Sequence, residues 1–283
     1  AACVLAVARS LRRGDRPGVR QRSGTGRIDL RVLAGVVTAC LLLAAGMLAG
    51  TGSMSAPAQA FDIVFHLNAV QAIRQGGNAS SLGGVAALYQ GTPVYYPTVW
   101  HGTVALLPAG AALASNAMVL VVGALAWPLG VAGLLVETLD GGEPFRPAPR
   151  RRTAAALGTV LSAATVGVPT VLLGTLAVWP YALALAACPA TVAWAVAAWR
   201  RATWLITVGR RRRTLIVVAA PVAAVMGSVV THPATAVIIG WPLAAVAWMG
   251  IVLAGIRGLR RQDPVARRRG IILLSIAVLV VLA

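Results

Sequence analysis

Charge is what this chain has least of: only 11% of its 283 residues are charged, while 58% are hydrophobic. A water-soluble domain of that length needs a far larger charged surface, so the composition excludes one and makes a bilayer the natural solvent. Lysine is missing altogether, and all 25 basic residues are arginine. With so much alanine, glycine and valine, that bias suggests a GC-rich bacterial genome. Acids number only seven. The three cysteines, Cys3, Cys40 and Cys188, each sit inside an apolar run without CxxC spacing. That usage fits neither a disulfide framework nor a thiolate site.

What the chain does have is long apolar stretches. They occur at about 32–50, 113–136, 153–176, 181–198, 214–231 and 234–256, with partial runs at 1–8 and 271–283. The full stretches match the ~20 residues needed to cross ~30 Å of hydrocarbon as helix. The expected fold is therefore all-α, a polytopic transmembrane bundle forming one domain over 1–283. Both ends look cut within apolar runs, so further segments are expected beyond them.

The net charge of +18 raises the question of nucleic acid. Placement excludes it, because the arginines fall in short clusters between apolar spans rather than on one soluble face. Loops 9–31, 137–152, 199–213 and 257–269 carry eight, four, six and six arginines, which leaves only Arg74 elsewhere. By the positive-inside rule these four loops face the cytoplasm and 51–112 lies outside. Stretch 98–136 could hold two spans with a turn at Ser115-Asn116, but that would put the later clusters outside. We therefore expect 98–112 to form a short interfacial helix ahead of a single span. Trp100 and Trp179 near the outer boundary, with Trp199 and Trp204 near the inner one, fit an aromatic belt. Gly167 and Gly174 are expected to support helix packing.

Under this topology Asp62 is the only outer acid, and His66, His101 and His232 are all outer. Residues 61–74 read as an amphipathic helix whose apolar side is Phe61, Val64, Phe65 and Leu67. Asp62 and His66, spaced i and i+4, share a face. A carboxylate and an imidazole one turn apart can share a proton, hold a metal, or place a general base beside its partner. The plainer alternative is that Asp62 caps its helix. Further on, Tyr95-Tyr96-Pro97-Thr98-Val99-Trp100-His101 offers aromatic faces for a sugar and an imidazole for a phosphate. The plainer reading of the aromatics is an interfacial anchor. His232 occupies the short outer turn Thr231-His232-Pro233, where it could close over a site. Arg74 could pair with Asp62, with lipid phosphate or with a donor pyrophosphate.

An outer loop that opens Phe61-Asp62-Ile63-Val64-Phe65-His66 and closes Tyr95-Tyr96-Pro97-Thr98-Val99-Trp100-His101 resembles the GT-C glycosyltransferases. It resembles in particular an actinobacterial multi-pass membrane family related to them. The resemblance covers roughly 30–256 in layout and about a dozen residues in motif. It implies an enzyme of the bacterial cytoplasmic membrane that takes a sugar from a polyprenyl-phosphate donor on the outer face. The acceptor would be a cell-envelope glycan or lipid, and membrane lipids would surround the chain. It further implies that Asp62 is the catalytic acid of the loop, and that 61–74 and 98–112 are its interfacial helices. The chain departs from the family in carrying one acid where many members carry two, so no metal or other cofactor is called for. The expected roles are Asp62 and His66 in catalysis, with His101, Tyr95, Tyr96, Arg74 and His232 binding substrate. The rival readings are a transporter or lipid flippase, which would place ionisable residues mid-span, and a non-catalytic scaffold, in which Asp62 only caps.

Overall fold

The computed structural model describes residues 29–139, 149–207, 209–260 and 263–282. The expected run at 1–8, the arginines of 9–27, Cys3, Asp15, Asp140 and Glu143 lie outside the described residues, as does the side chain of Trp204. Among the described residues the regular structure is all helical. In chain order α1 is Leu30–Thr51, α2 Ile63–Gly76 and α3 Val99–Ala105. Helix α4 is Ala111–Leu139, and α5 is Pro149–Leu161. Then come α6, Trp179–Thr207, and α7, Arg211–Thr231. Among the described residues, five helical segments are long and apolar enough to cross a membrane: Leu30–Thr51, Ala111–Leu139, Pro149–Thr175, Trp179–Ala202 and Arg212–Thr231. The chain is an all-helical, multi-pass membrane protein. Large apolar side chains such as Leu41, Leu42, Leu125, Leu157 and Leu215 are exposed along these segments, as expected where the solvent is hydrocarbon.

Two compact units divide the chain, Ala1–His232 and Pro233–Ala283. In the second, α8 (Ala234–Leu259) packs on α9 (Pro264–Leu282). Glycines let the pair approach closely: a Cβ added to Gly258 would stand 2.8 Å from Gly270 Cα. Asp263 caps α9, its carboxylate accepting from Val265 N at 3.1 Å and Ala266 N at 3.2 Å.

Within the first unit α4 packs on α5 and α6, α1 on α5, and α6 on α7. Small residues set these contacts. A Cβ on Gly35 would stand 2.7 Å from the Ala156 carbonyl oxygen, and one on Gly130 3.1 Å from Ala190 N. The glycines expected to do this, Gly167 and Gly174, have open space where a Cβ would stand. They lie in a stretch that is not a regular helix. The span expected at 153–176 breaks after Leu161, passes a single turn at Ser162–Ala164 and an extended Thr165, and resumes over Val166–Thr175. Inside that last stretch Val168 is again extended, because Pro169 lacks an N–H and biases the residue before it to extended backbone. The freed Ser162 carbonyl is satisfied by Thr165 Oγ1 at 2.7 Å and Trp127 Nε1 at 3.2 Å, the compensation a broken helix needs in hydrocarbon.

Stretch 98–136 forms the seven-residue α3 and then one long helix, not two spans. Helix α4 holds a π-turn at Val121–Ala126. Ser115 and Asn116, the turn of the two-span alternative, are buried inside α4. Asn116 donates both amide hydrogens to the loop after α1, to the carbonyls of Met54 at 2.9 Å and Ala56 at 2.8 Å.

These contacts make the first unit two-ended. At one end Arg31 donates to the Pro149 carbonyl at 3.3 Å, and Arg200 pairs with Glu137 at 3.5 Å. At the other end lie the 52–110 loop, the α5–α6 connection and the end of α7, where the ring of His232 meets Tyr181 at 5.1 Å.

Candidate functional site

The site forms where the long loop folds over the start of α6. Helix α2 turns one stripe inward, with Ile63, His66, Ala69, Val70 and Ile73 buried. Phe61 and Val64, which the sequence suggested as part of the apolar side, are exposed, Phe61 completely. In a membrane chain an apolar side chain has two suitable solvents, lipid and core, so hydrophobicity alone does not choose the inner face. The inner stripe carries an imidazole.

Helix α3 meets this stripe and presents Trp100, His101 and Val104, all fully buried. His66 Nδ1 and His101 Nε2 stand 2.9 Å apart, a hydrogen bond between rings 35 residues apart in sequence. On its other side His66 stacks on Trp179, with ring centroids 5.1 Å apart and 29° between planes. Trp179 also stacks on Trp100 at 5.4 Å, and its Nε1 donates to the Leu173 carbonyl at 3.0 Å. Trp100 and Trp179 are thus core residues, fully buried, rather than boundary anchors. Ala177, directly ahead of α6, is buried with φ at +51°. A non-glycine residue in that left-handed region carries roughly 1 kcal/mol of strain.

An open cavity of about 400 Å³ lies beside the pair, lined by Asp62, His66, Tyr96, Pro97, Val178, Pro180, Tyr181 and His232. Asp62 is exposed and its side chain makes no capping hydrogen bond to α2. The other described aspartates both cap: Asp29 accepts from Arg31 N at 2.9 Å, and Asp263 caps α9 as above. The capping role that could explain Asp62 is therefore taken up by its two counterparts and not by Asp62 itself. Of the lining side chains only Asp62 carries a fixed charge.

Burial governs the protonation of the neighbours. His101 is pushed down to about 3 by burial, with His66 adding to the push and the Pro97 backbone opposing it. His66 is held below its ordinary value by burial, against upward pulls from the Asp62 charge and the Ala177 backbone. Neither backbone group reaches hydrogen-bond geometry, so His66 Nε2 and His101 Nδ1 have no partner. Tyr96 is pushed up to about 12 by burial, helped by Asp62 and Tyr89, and so stays an O–H donor. His232 is lowered, also by burial. At neutral pH the cavity therefore holds the neutral imidazoles of His66 and His232 and the intact phenol of Tyr96 beside Asp62.

The expected residues do not all reach this cavity. Asp62, His66, Tyr96 and His232 do. His101 has no exposed surface and sits behind His66, so it reaches a ligand only through that ring. Tyr95 is exposed and is not part of the lining. Arg74 closes the end of α3, donating to the carbonyls of Ala105 at 3.2 Å, Val104 at 3.4 Å and Leu107 at 2.9 Å. It lines a separate pocket of about 530 Å³ with Thr98, Gly102 and Leu106. Tyr181 and Trp179 were missed as site residues. Their signal was the Trp179-Pro180-Tyr181 run opening a span, which reads as an interfacial anchor when taken alone. Among the described residues no group of three or more His, Cys, Asp or Glu side chains could hold a metal ion.

Fold and site together define a multi-pass helical membrane protein with an acid–base cavity at the end of the bundle away from Arg31 and Arg200. The whole chain, residues 1–283, matches a family of unknown function, DUF6541, and belongs to it. No curated protein and no solved structure matches it.

Proposed function

We propose that the chain is a membrane glycosyltransferase acting on the outer face of a bacterial cytoplasmic membrane, with a polyprenyl-phosphate sugar as donor. The observation that carries this reading is the Asp62 carboxylate, exposed in an open cavity beside His66 and unused by its own helix. The orientation follows from the arginine clusters, which hold the opposite loops in the cytoplasm.

Asp62 takes the proton of the acceptor hydroxyl as that oxygen attacks the anomeric carbon. The bond from that carbon to the phosphate oxygen breaks, and polyprenyl phosphate leaves with the electron pair. The cavity lining carries no fixed cation. It therefore suits a neutral acceptor, and the anionic donor phosphate lies at the rim. Tyr96 keeps its proton and can donate it to a sugar or phosphate oxygen.

Asp62→Asn tests the reading. Asparagine matches aspartate in size and in capping ability but cannot act as a base. The assay follows label from a polyprenyl-phosphate sugar in membranes that contain the full-length protein. A positioned base is worth roughly 10²–10⁴-fold in rate, so transfer by the variant should fall on that order with expression unchanged. Wild-type transfer by Asp62→Asn would sink the assignment and favour a non-catalytic scaffold.

A further inference from the structure

The reaction proposed above uses Asp62 and Tyr96, and leaves the two imidazoles and the bond between them without a role. We propose that His66 and His101 work as a single acid–base unit, bordering the cavity through His66 and holding at most one extra proton. His101 is the positioning residue that fixes the tautomer of His66. The inference stands independently of the reaction above.

The geometry sets the proton count. His66 Nδ1 and His101 Nε2 are 2.9 Å apart and share one hydrogen. With both rings neutral, one of the two outer nitrogens, His66 Nε2 or His101 Nδ1, carries a hydrogen and the other is a bare lone pair. His66 borders the open cavity, whereas His101 is fully buried. Both outer nitrogens are buried, but His66 lines the cavity beside the Asp62 charge, so the lone pair that takes a proton is assigned to it. The resting state is therefore His66 with Nδ1–H donating to His101 Nε2, His101 with Nδ1–H, and His66 Nε2 free.

This arrangement takes a proton without rearranging. A proton added at His66 Nε2 leaves Nδ1–H donating to His101, and no other hydrogen has to move. A second proton would have to enter His101 Nε2, which already accepts the shared hydrogen. It would also place two buried cations against each other. The surroundings enforce the same limit. Asp62 on α2 is the only fixed charge at the cavity and favours a cation on His66, the nearer ring in sequence. From the loop come Tyr89 and Tyr96, from α6 Trp179 and Tyr181, and from the end of α7 His232. None of these side chains is a carboxylate, and α3 supplies no other titratable group. Arg74, two turns further along α2, is held by the α3 carbonyls. His101 thus stays neutral while His66 cycles.

The chain contains just three histidines, so nitrogen NMR of the ring-labelled full-length protein in detergent micelles can assign each by single substitution. The expected wild-type result is separate, unaveraged N–H and bare-nitrogen signals for both rings of the dyad at neutral pH. On acidification the pair should gain one proton, all of it at His66 Nε2, before His101 takes any. In His101→Gln the His66 nitrogens should average between tautomers. Averaged His66 signals in the wild type, or protonation of both rings in the same pH range, would overturn the proposal. If His101→Gln does not fold, the wild-type spectrum still decides. A failed transfer assay with Asp62→Asn leaves these spectra unchanged, so the two readings fail separately.

Discussion

Buried neutral histidines make a membrane bundle acid-sensitive, and His101 gives the effect a sign and a size. Its ordinary value is ~6.5, and burial and His66 push it down to about 3. Below the ordinary value the unfolded chain binds a proton at this position that the folded chain refuses. Stability is therefore intact above that value and falls as pH drops towards the folded one, by about 1.4 kcal/mol per pH unit. Between about pH 6.5 and about pH 5 the loss is about 2 kcal/mol, or roughly 4–8 °C in Tm for a domain of this size. His66 adds to the loss, less so because Asp62 opposes its shift. The perturbation is His101→Gln, which removes the titrating group while keeping a polar side chain of similar reach. At neutral pH the variant should be less stable, by about 1–3 kcal/mol, because His101 is fully buried and bonded. On acidification it should lose less than the wild type, and the two melting curves should converge. Thermal unfolding in detergent at neutral and at acid pH reads both effects. Contributions from groups that do not touch His101 cancel in the comparison, and only its bonded partner His66 shifts with it. Parallel pH dependences for wild type and variant would refute the reasoning, since His101 would then titrate alike in the folded and unfolded chain.

Three further outcomes follow from other parts of the structure. With the three native cysteines removed, Ser80→Cys should react with a membrane-impermeant thiol reagent in intact cells and Arg212→Cys only after permeabilisation; the reverse pattern would invert the orientation. Gly35→Ala should destabilise by about 1–3 kcal/mol, because its Cβ meets backbone at Ala156, whereas Gly123→Ala meets the side-chain ends of Met47 and Leu173, which can shift, and should cost less. Equal melting temperatures for those two variants would count against the α1–α5 contact. Arg74→Gln should lower stability by about 1–3 kcal/mol through the lost α3 cap while leaving the KM for donor unchanged; a raised KM with normal stability would return Arg74 to substrate binding.

The spans were legible because a bilayer demands ~20 apolar residues in a row and little else. The single long α4 was legible for a related reason, since arginine placement forbade a second crossing between 98 and 136. The break in the span after α5 was not read, although Pro169 was visible. Proline is tolerated in many membrane helices, as Pro189 and Pro221 are inside α6 and α7 here. What decided at Pro169 was whether neighbours could satisfy the freed carbonyls in a bent form, and Trp127 and Thr165 do so from positions that a linear pattern does not reveal.

The candidate site was legible in part, and the limit has a physical origin. Asp62 and His66 could be paired on paper because one helical turn relates them. His101 could be named only as a lone imidazole near an interface, because nothing local sets its distance to a ring 35 residues away. Its burial reverses the role that exposure would have given it. A surface histidine binds phosphate directly, whereas one sealed behind another histidine acts by fixing its neighbour's proton. Arg74 shows the same reversal: a cation in an arginine-poor loop looks available to a ligand until three backbone carbonyls at a helix end claim it. In both cases the residue type states what chemistry is possible. The packing of α3 on α2 then decides which partner receives it.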